Sequence, residues 1–410
     1  MSERIDRLES GLTVGIEEMP WTRTVSIGVY VGVGARDESA EQSGVSHFLE
    51  HLLFKGTPDR SAQDISRAVD RVGGDINAFT SKEYTAFFCR LPARYAVEGI
   101  ELLGDVLTSP SLRDSDVESE RQVILEELAM DDDSPDDVVH REFARQVFAG
   151  HPLGRDTAGE RPTVRSLTAD EIRRFHADHY RAGNTVVAVA GAVGTDEIRR
   201  AVDCAFGAFQ SGDGTIARSA PDAVGPDTSI PDDTEQVHLI VGGRALRRLD
   251  PDRETLDVVD HVLGGGLSSR LFDEIRERRG LAYSVFSGTA SYSDAGAWSI
   301  YAGTMPDHAA TVRALIGDEL ARLVADGISD EELAIAKGFL TGSYEMSLED
   351  SGARMARIGG MLVTTGEVRS VEDQLARWEK VTHDDVRRVI RNVYGETPPL
   401  TVALGPDYRR

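Results

Sequence analysis

Two stretches of this chain resemble each other at a separation of 214 residues, which restricts the possible folds more than any other feature of the sequence. Residues 167–180, LTADEIRRFHADHY, match residues 381–394, VTHDDVRRVIRNVY, with Thr168 opposite Thr382. Each stretch has a threonine suited to cap a helix and is followed by a β-rich run, TVVAVAG or LTVALG. Two copies of one folding unit are therefore predicted.

A polar segment divides the chain almost in half. Residues 211–235 are rich in Gly, Ser, Pro and Asp and lack apolar periodicity, as expected of a surface linker. The chain has 410 residues, which is about twice the usual size of one domain. We therefore predict an N-terminal lobe at 1–210, a linker at 211–235 and a homologous C-terminal lobe at 236–410.

The periodicity of apolar residues predicts an α+β fold for each lobe. Between Val25 and Val33, valine and isoleucine alternate with Ser, Gly and Tyr, which is the period of a half-buried strand. After a turn, the apolar residues of segment 44–55 recur at helical spacing. Strands that pair as hairpins, followed by pairs of long helices, indicate helices packed on a mainly antiparallel sheet. We expect this architecture twice.

The charge of the chain excludes some classes of partner. A formal net charge of −25 and an isoelectric point near 4.8 would repel nucleic-acid phosphates and anionic lipid surfaces. The first residues, MSERIDRLESGLTV, carry charges where a secretion signal needs an apolar run. The longest apolar stretch, around 185–193, is too short to span a membrane. We therefore expect a cytoplasmic protein that binds neither nucleic acid nor membranes.

The chain contains two cysteines, Cys89 and Cys204, which are too few for a disulfide framework. Their spacing does not match a metal-ligand pattern either. We predict that both are buried, reduced thiols.

The segment His47-Phe48-Leu49-Glu50-His51 lies inside the predicted helix and carries the clearest chemical signal. The two histidines are one helical turn apart, so both imidazoles can reach one ion, and Glu50 can reach a ligand of that ion. A catalytic zinc needs three protein ligands and an open position for water, whose proton a nearby glutamate accepts. With 10 histidines and 70 acidic residues, chance would produce roughly 0.04 H-x-x-[DE]-H motifs in this chain. A catalytic zinc site is therefore predicted.

The third metal ligand must come from elsewhere in the chain. The acid-rich segment 117–130, VESERQVILEELAM, is the best source, because a helix there would present several carboxylates. Glu120 and Glu127, seven residues apart, share a face, whereas Glu126 points away from it. For Glu118 and Glu126 a solvated helix surface is the simpler interpretation. Periodicity alone leaves the choice of ligand open.

Several segments carry motifs of a known peptidase family. The H-x-x-E-H order at 47–51 is that of an inverzincin, the reverse of the zincin H-E-x-x-H. It is accompanied by GGDINAFT at 73–80, ERQVILEE at 120–127, HPLG at 151–154 and SRLFDEIRERRGLAY at 269–283. Together these motifs resemble the insulinase/pitrilysin family, and most closely its mitochondrial processing peptidase-like branch. The resemblance covers nearly the whole chain and implies a zinc endopeptidase of two homologous α+β lobes, with the metal site in the first.

The resemblance also assigns roles within the metal site. It makes His47 and His51 metal ligands and Glu50 the general base. The distal glutamate of the family lies 76 residues after the second histidine, which selects Glu127 as the third ligand.

The remaining roles rest on the resemblance alone. Glu120 matches a glutamate that supports activity without binding the metal directly. Asn77 matches a residue that hydrogen-bonds the substrate backbone beside an exposed strand edge. From the second lobe, Tyr283 matches a donor to the tetrahedral oxyanion, and Arg276 matches a residue that holds the substrate backbone or terminus. Without the resemblance, these last three would be interpreted as a turn residue, a core residue and a helix-surface ion-pair partner.

The second lobe does not repeat the metal motif. At the offset of 214 residues, His261 falls opposite His47, but Gly264 and Gly265 fall opposite the glutamate and the second histidine. One zinc ion per chain is therefore expected. The run of three glycines that contains them is followed by no Gly-Lys-Ser/Thr, so a turn is a simpler interpretation than a phosphate site.

These observations predict a zinc endopeptidase that hydrolyses unfolded peptides. The family's enclosed chamber takes four lobes and this chain supplies two, so the resemblance implies a homodimer. Two alternatives are a catalytically silent scaffold or assembly subunit, and the active subunit of a heterodimer with a non-catalytic partner. The intact H-x-x-E-H motif argues against the scaffold. The presence of Arg276 and Tyr283 in the same chain makes a second kind of subunit less necessary.

Overall fold

The computed structural model describes residues 3–212 and 216–406. The chain forms two compact units, each assembled from three segments. The first unit contains Met1–Leu128, Arg155–Ala217 and Glu345–Ser370. The second contains Ala129–Gly154, Arg218–Tyr344 and Val371–Arg410. Each unit therefore takes segments from both halves of the sequence, which differs from the contiguous lobes predicted at 1–210 and 236–410.

A six-stranded sheet lies at the centre of the first unit. Its strands are β1 (Arg4–Arg7), β2 (Thr13–Glu18), β3 (Thr24–Val31), β4 (Asp75–Thr80), β5 (Thr85–Pro92) and β6 (Thr185–Gly191). They lie in the order β1-β2-β6-β3-β5-β4. β2 and β6 are parallel, whereas the other neighbouring pairs are antiparallel. Within the described residues β4 pairs with β5 alone, so its second edge is unpaired there.

The sheet of the second unit repeats this plan. Its strands are β7 (Thr228–Pro231), β8 (Val237–Ala245), β9 (Ala282–Ser291), β10 (Gly296–Thr304) and β11 (Leu400–Gly405). They lie in the order β7-β11-β8-β10-β9, with β7 and β11 parallel and the other neighbouring pairs antiparallel. The same directions occur in β2-β6-β3-β5-β4 of the first unit. The predicted α+β fold with two homologous lobes is confirmed.

One strand lies where the sequence predicts a linker. β7 falls within 211–235 and pairs in parallel with β11, from Thr228 opposite Val402 to Pro231 opposite Gly405. Four residues are too few for their alternation to stand out from a polar surrounding sequence, so β7 was not predicted. Residues 213–215 of the predicted linker lie outside the described residues.

The helices include both threonine-capped helices that the duplication predicts. In chain order they are α1 (Val45–Leu53), α2 (Ala62–Asp70), α3 (Ala96–Thr108), α4 (Asp114–Asp132), α5 (Pro135–Val147), α6 (Arg161–Ser166), α7 (Ala169–His179), α8 (Thr195–Ala205), α9 (Arg253–Asp260), α10 (Pro306–Asp326), α11 (Asp330–Ser347), α12 (Ser351–Thr365), α13 (Val371–Glu379) and α14 (His383–Val389). Wider π-helical turns follow at His261–Gly265, Phe272–Glu277 and Ile390–Gly395. Thr168 caps α7 and Thr382 caps α14, each in a capping box.

Each sheet is covered on one face by a helix from the other half of the sequence. Met355, Ile358 and Leu362 of α12 pack against β3 and β6 in the first unit. In the second unit, α5 packs in the same way against β8 and β11. Because α12 covers the second face of β3, that strand is buried on both faces, and the prediction of a half-buried strand is wrong.

The two cysteines differ in exposure. Cys89 is buried in β5, as predicted, but Cys204 is exposed. In α8 the buried residues Ile198 and Val202 define the core face, and Cys204 lies two residues further on, toward solvent. Both thiols are free. Among the helices of the described residues, none combines the length and the hydropathy that a membrane crossing requires.

Candidate metal centre

The helix α1 carries an apolar face and a polar face. The apolar face anchors the helix in the core of the first unit and consists of Val45, Phe48, Leu49, Leu52 and Leu53. On the other side, His47, Glu50 and His51 are partly buried. The two imidazole rings lie 4.7 Å apart between centroids. The i to i+4 spacing therefore places both rings on one face, as predicted.

Glu127 on α4 completes a group of three possible metal ligands. Its carboxylate oxygen Oε2 lies 3.5 Å from Nε2 of His51 and 4.0 Å from Nε2 of His47. One ligand atom from each residue lies within 4.8 Å of the others, and the described residues contain no other such group. Donors bound tetrahedrally at about 2.1 Å from a zinc ion lie roughly 3.4 Å apart. Two imidazoles and a carboxylate at these distances fit one zinc ion.

The environment of His47 favours the form that binds metal. Burial lowers the pKa of His47 to about 4, and the neighbouring His51 contributes to the same shift. A neutral imidazole offers the lone pair that a metal requires. His47 therefore needs no deprotonation near neutral pH before it can bind an ion.

Glu50 lies against the edge strand β4. The hydroxyl of Thr80 donates a hydrogen bond to Oε2 of Glu50 at 2.6 Å, which leaves Oε1 to face other partners. Burial raises the pKa of Glu50 above its ordinary value, although the Thr80 bond and His51 oppose the shift. A carboxylate with a raised pKa is a stronger base than an exposed one. The sequence analysis missed Thr80, because a threonine near the end of a strand has no distinguishing pattern.

Glu120 lies beside His51 and outside the group of three donors. Its Oε2 is 3.2 Å from Nδ1 of His51, on the opposite side of the ring from the nitrogen that faces Glu127. Its Oε1 is 2.6 Å from Nζ of Lys55, and Glu120 is buried. A carboxylate at Nδ1 orients the imidazole and makes Nε2 the ligand atom. Lys55 was also missed, although it is one helical turn after His51.

The remaining predicted residue of the first lobe lies on the edge strand. Asn77 is exposed in the middle of β4, and its side-chain oxygen accepts a hydrogen bond from the amide of Ala78 at 2.8 Å. Asn77 is therefore on a strand, where the sequence without the resemblance would suggest a turn.

The two predicted residues of the second lobe contact each other in the second unit. The guanidinium of Arg276 lies 4.8 Å from the ring centroid of Tyr283 and 4.7 Å from that of Phe272. Tyr283 is 80% exposed, so the alternative interpretation as a core residue is wrong. An exposed tyrosine hydroxyl beside an arginine can donate to a developing anion.

Comparison with known proteins identifies the family. Residues 13–161 match the family profile described as Insulinase (Peptidase family M16), and residues 166–340 match the one described as Peptidase M16 inactive domain. An uncharacterised zinc protease of Streptomyces coelicolor is 44% identical over 97% of this chain and 88% of its own length. The uncharacterised zinc protease YmxG of Bacillus subtilis is 34% identical over 96% of both chains. This chain belongs to the insulinase family.

Solved structures share the fold of this insulinase-family chain. A protease from Helicobacter pylori has a TM-score of 0.92 at 25% identity and covers 99% of both chains. A protein from Pseudomonas fluorescens, described as a peptidase M16 inactive domain, has a TM-score of 0.92 at 20% identity and covers 99% of this chain and 98% of its own. The resemblance to the insulinase/pitrilysin family is confirmed, and the family is one of zinc proteases. The processing peptidase-like branch stays a prediction.

Proposed function

We propose that this chain is an active zinc endopeptidase that hydrolyses unfolded peptides. The observation that carries the proposal is the convergence of His47, His51 and Glu127, with Glu50 beside them on the same helix. Three protein ligands with a nearby carboxylate form the set that a catalytic zinc site requires. A structural zinc site would use a fourth protein ligand and would need no base.

The side chains of the first unit supply the proton transfers. When bound, zinc would polarise the scissile carbonyl and lower the pKa of a coordinated water toward neutrality. Glu50 takes a proton at Oε1, the oxygen not bonded to Thr80, and returns it to the leaving amine. Glu120 holds the ring of His51 from the Nδ1 side.

The unpaired edge of β4 suggests how a peptide is bound. An extended peptide can add as a further strand at such an edge, with main-chain hydrogen bonds that depend little on sequence. Thr80, which contacts the base Glu50, lies at the end of the same strand, and Asn77 lies in its middle. In this proposal Asn77 binds the peptide backbone, Tyr283 donates to the oxyanion and Arg276 holds the peptide backbone or terminus.

Two rival roles make different predictions. A silent scaffold would have no requirement for a proton acceptor beside three metal donors, so the arrangement of Glu50 favours the enzyme. The active subunit of a heterodimer would be inactive alone but active with a second protein. The peptidase profile matched by 13–161 is compatible with both active proposals.

The decisive experiment assays the purified chain by itself. Cleavage products of a mixed peptide library are identified by mass spectrometry, with a chelator, without it, and after zinc is restored. We expect one zinc ion per chain and cleavage that the chelator abolishes. Glu50→Gln should keep the zinc while kcat falls by at least ~10²-fold, the scale of a lost general base.

Each other outcome supports a rival. A wild-type chain that binds zinc and cleaves no peptide would favour the scaffold or the heterodimer. Near-wild-type turnover in Glu50→Gln would contradict the role of Glu50 as the base.

The oligomeric state that we propose is a homodimer. Each chain carries both the metal set and the Arg276/Tyr283 pair, so two copies would form a closed chamber with two equivalent sites. Such a chamber would admit peptides of some tens of residues and exclude folded proteins. Light scattering coupled to size-exclusion chromatography, beside assays on a peptide and a stable folded protein, tests both parts. A fully active monomer, or equal cleavage of the folded protein, would contradict the chamber but not the zinc chemistry.

A further inference from the structure

The start of α1 is capped by a carboxylate from outside the helix. Gly44, at the N-cap, has no side chain to cap the helix, and its φ of +96° favours glycine. Oε2 of Glu38 accepts a hydrogen bond from the amide of Gly44 at 2.7 Å, and Oε1 accepts one from the amide of Ser46 at 2.8 Å. Both oxygens of Glu38 therefore bind the first turn of the helix that carries the metal motif.

Glu38 is held in place by buried neighbours. It is 4% exposed, and Nη1 of Arg155 donates to its backbone carbonyl at 2.7 Å. Lys82 donates in turn to the backbone carbonyl of Arg155. Burial raises the pKa of Glu38 to about 7, while the amides of Ser46 and Gly44 oppose the shift because they stabilise the carboxylate. The helix start and Glu38 therefore stabilise each other.

The segment before Glu38 is bonded to the turn that follows the edge strand. The amides of Ala35 and Arg36 donate to the carbonyls of Ser81 and Lys82 at 3.0 and 2.9 Å. The guanidinium of Arg36 lies 2.7 Å from the carboxylate of Glu83, and both side chains are buried. These contacts connect the cap of α1 with the turn between β4 and β5, directly after the threonine that binds the predicted base.

We infer that Glu38 is a positioning residue for the metal centre. A carboxylate that binds two amides of the first turn fixes both the height and the rotation of α1 relative to β4. The rotation of α1 decides where the imidazoles and the glutamate of the motif point. The catalytic consequence rests on the proposed function, but the effect on metal affinity does not require peptidase activity.

Glu38→Gln tests this role with little change in volume. Glutamine offers one acceptor, and its amide group would face a backbone N–H with another N–H. We expect the zinc dissociation constant, measured by competition with a chromophoric chelator, to rise ~10-fold or more. At saturating zinc, kcat should fall ~10-fold with little change in KM. Glu41→Gln is the matched control, because Glu41 is exposed in the same loop and loses the same charge. It should change neither quantity.

A second variant separates positioning from general stability. Glu38→Asp keeps both acceptors on a shorter side chain, so its zinc affinity and kcat should lie between those of wild type and Glu38→Gln. If Glu38→Gln does not fold, the Asp variant decides by comparison with Glu41→Gln. The absorption spectrum of cobalt(II) bound in place of zinc reports the ligand geometry and should change in the Glu38 variants.

The outcomes are distinguishable. A lower melting temperature with unchanged zinc affinity, cobalt spectrum and kcat in the Glu38 variants would overturn the inference. A wild-type chain that binds zinc but cleaves no peptide would overturn the proposed function. The zinc dissociation constants would then still decide the role of Glu38.

Discussion

The two units share a sheet plan but differ where a helix meets the edge strand. In the first unit, Glu50 accepts a hydrogen bond from Thr80 of β4. In the second, Gly264 stands at the corresponding position, and a Cβ atom there would lie 2.6 Å from the amide nitrogen of Ser287 on β9. The same place is occupied by a carboxylate in one unit and by a close backbone contact in the other.

The histidine positions differ as well. His261, the counterpart of His47, is 5% exposed and stacks on Phe339 with ring centroids 4.2 Å apart. Gly265 takes the place of the second histidine. The second unit therefore has the backbone plan without the donors. The comparison shows that the plan of the lobe and the chemistry of the metal centre are separable, because the chemistry depends on a few side chains.

The largest expected effect comes from removing the third donor of the first unit. Glu127→Gln replaces an anionic oxygen by a weaker, neutral ligand, so the purified protein should lose most of its zinc. Its kcat/KM should fall by at least ~10²-fold. Glu126→Gln is the control, because Glu126 is the exposed neighbour. Elemental analysis by mass spectrometry measures the zinc. Loss of zinc in the Glu126 variant, with retention in the Glu127 variant, would reverse the ligand assignment.

The next test asks whether the second unit takes part in catalysis. Tyr283→Phe and Arg276→Ala should reduce kcat/KM by ~10–10³-fold while the zinc content is unchanged, because both residues are proposed to contact the substrate. His261→Gln is the control, since His261 is buried in the same unit and touches no proposed site. Its melting temperature should fall while kcat/KM is maintained. Full activity in both test variants would exclude the second unit from the chemistry.

A smaller effect concerns a buried acid of the second unit. Asp260 stands opposite Ser46, and burial raises its pKa to about 6, with Asp257 adding to the shift and Ser287 and Arg253 opposing it. Because this pKa lies above the ordinary value of 3.8, the stabilisation is present at low pH and is lost as the pH rises through about 6. Asp260→Asn should therefore resemble wild type near pH 4 and exceed its unfolding free energy by ~3 kcal/mol at pH 8.

Calorimetric melting temperatures of both proteins across this pH range provide the measurement. A difference between them that is constant from pH 4 to pH 8 would show that Asp260 does not titrate as described.

The smallest expected effect tests the close contact of the second unit. Gly264→Ala places a methyl group against backbone atoms of Ser287 and should lower the unfolding free energy by ~1–3 kcal/mol. Gly338→Ala is the control, because no described atom lies within 4 Å of a Cβ there, and alanine is the better helix former. It should be neutral or stabilising, and the zinc content should be unchanged in both. Equal melting temperatures for the two variants would contradict the proposed contact.

Local patterns determined several parts of this protein without its tertiary structure. The capping threonines of α7 and α14 act on amides three residues away, so their sequence is sufficient to predict where those helices begin. The H-x-x-E-H spacing brings His47 and His51 to one helix face for the same reason. The repeated pattern, with the linker between its copies, likewise predicted two lobes of one plan.

Tertiary packing decided which faces are buried. Ser26 and Tyr30 alternate with the apolar residues of β3 and therefore suggested a solvent-facing side. In the structure, the Ser26 hydroxyl lies 3.0 Å from that of Ser351, and the Tyr30 hydroxyl donates to the sulfur of Met355 at 3.2 Å. Both partners belong to α12 and follow some 325 residues later in the chain. No periodicity within β3 contains this information.

Packing also decided the roles of the carboxylates. The sequence alone determined that two histidines could share an ion and that α4 could supply an acid, but left several glutamates possible. Only the structure places Glu127 at 3.5 Å from Nε2 of His51 and Glu120 at 3.2 Å from Nδ1 of the same ring. The physical reason is that the spacing of residues along a helix determines their shared face. The distance between two helices is determined by the core that packs between them.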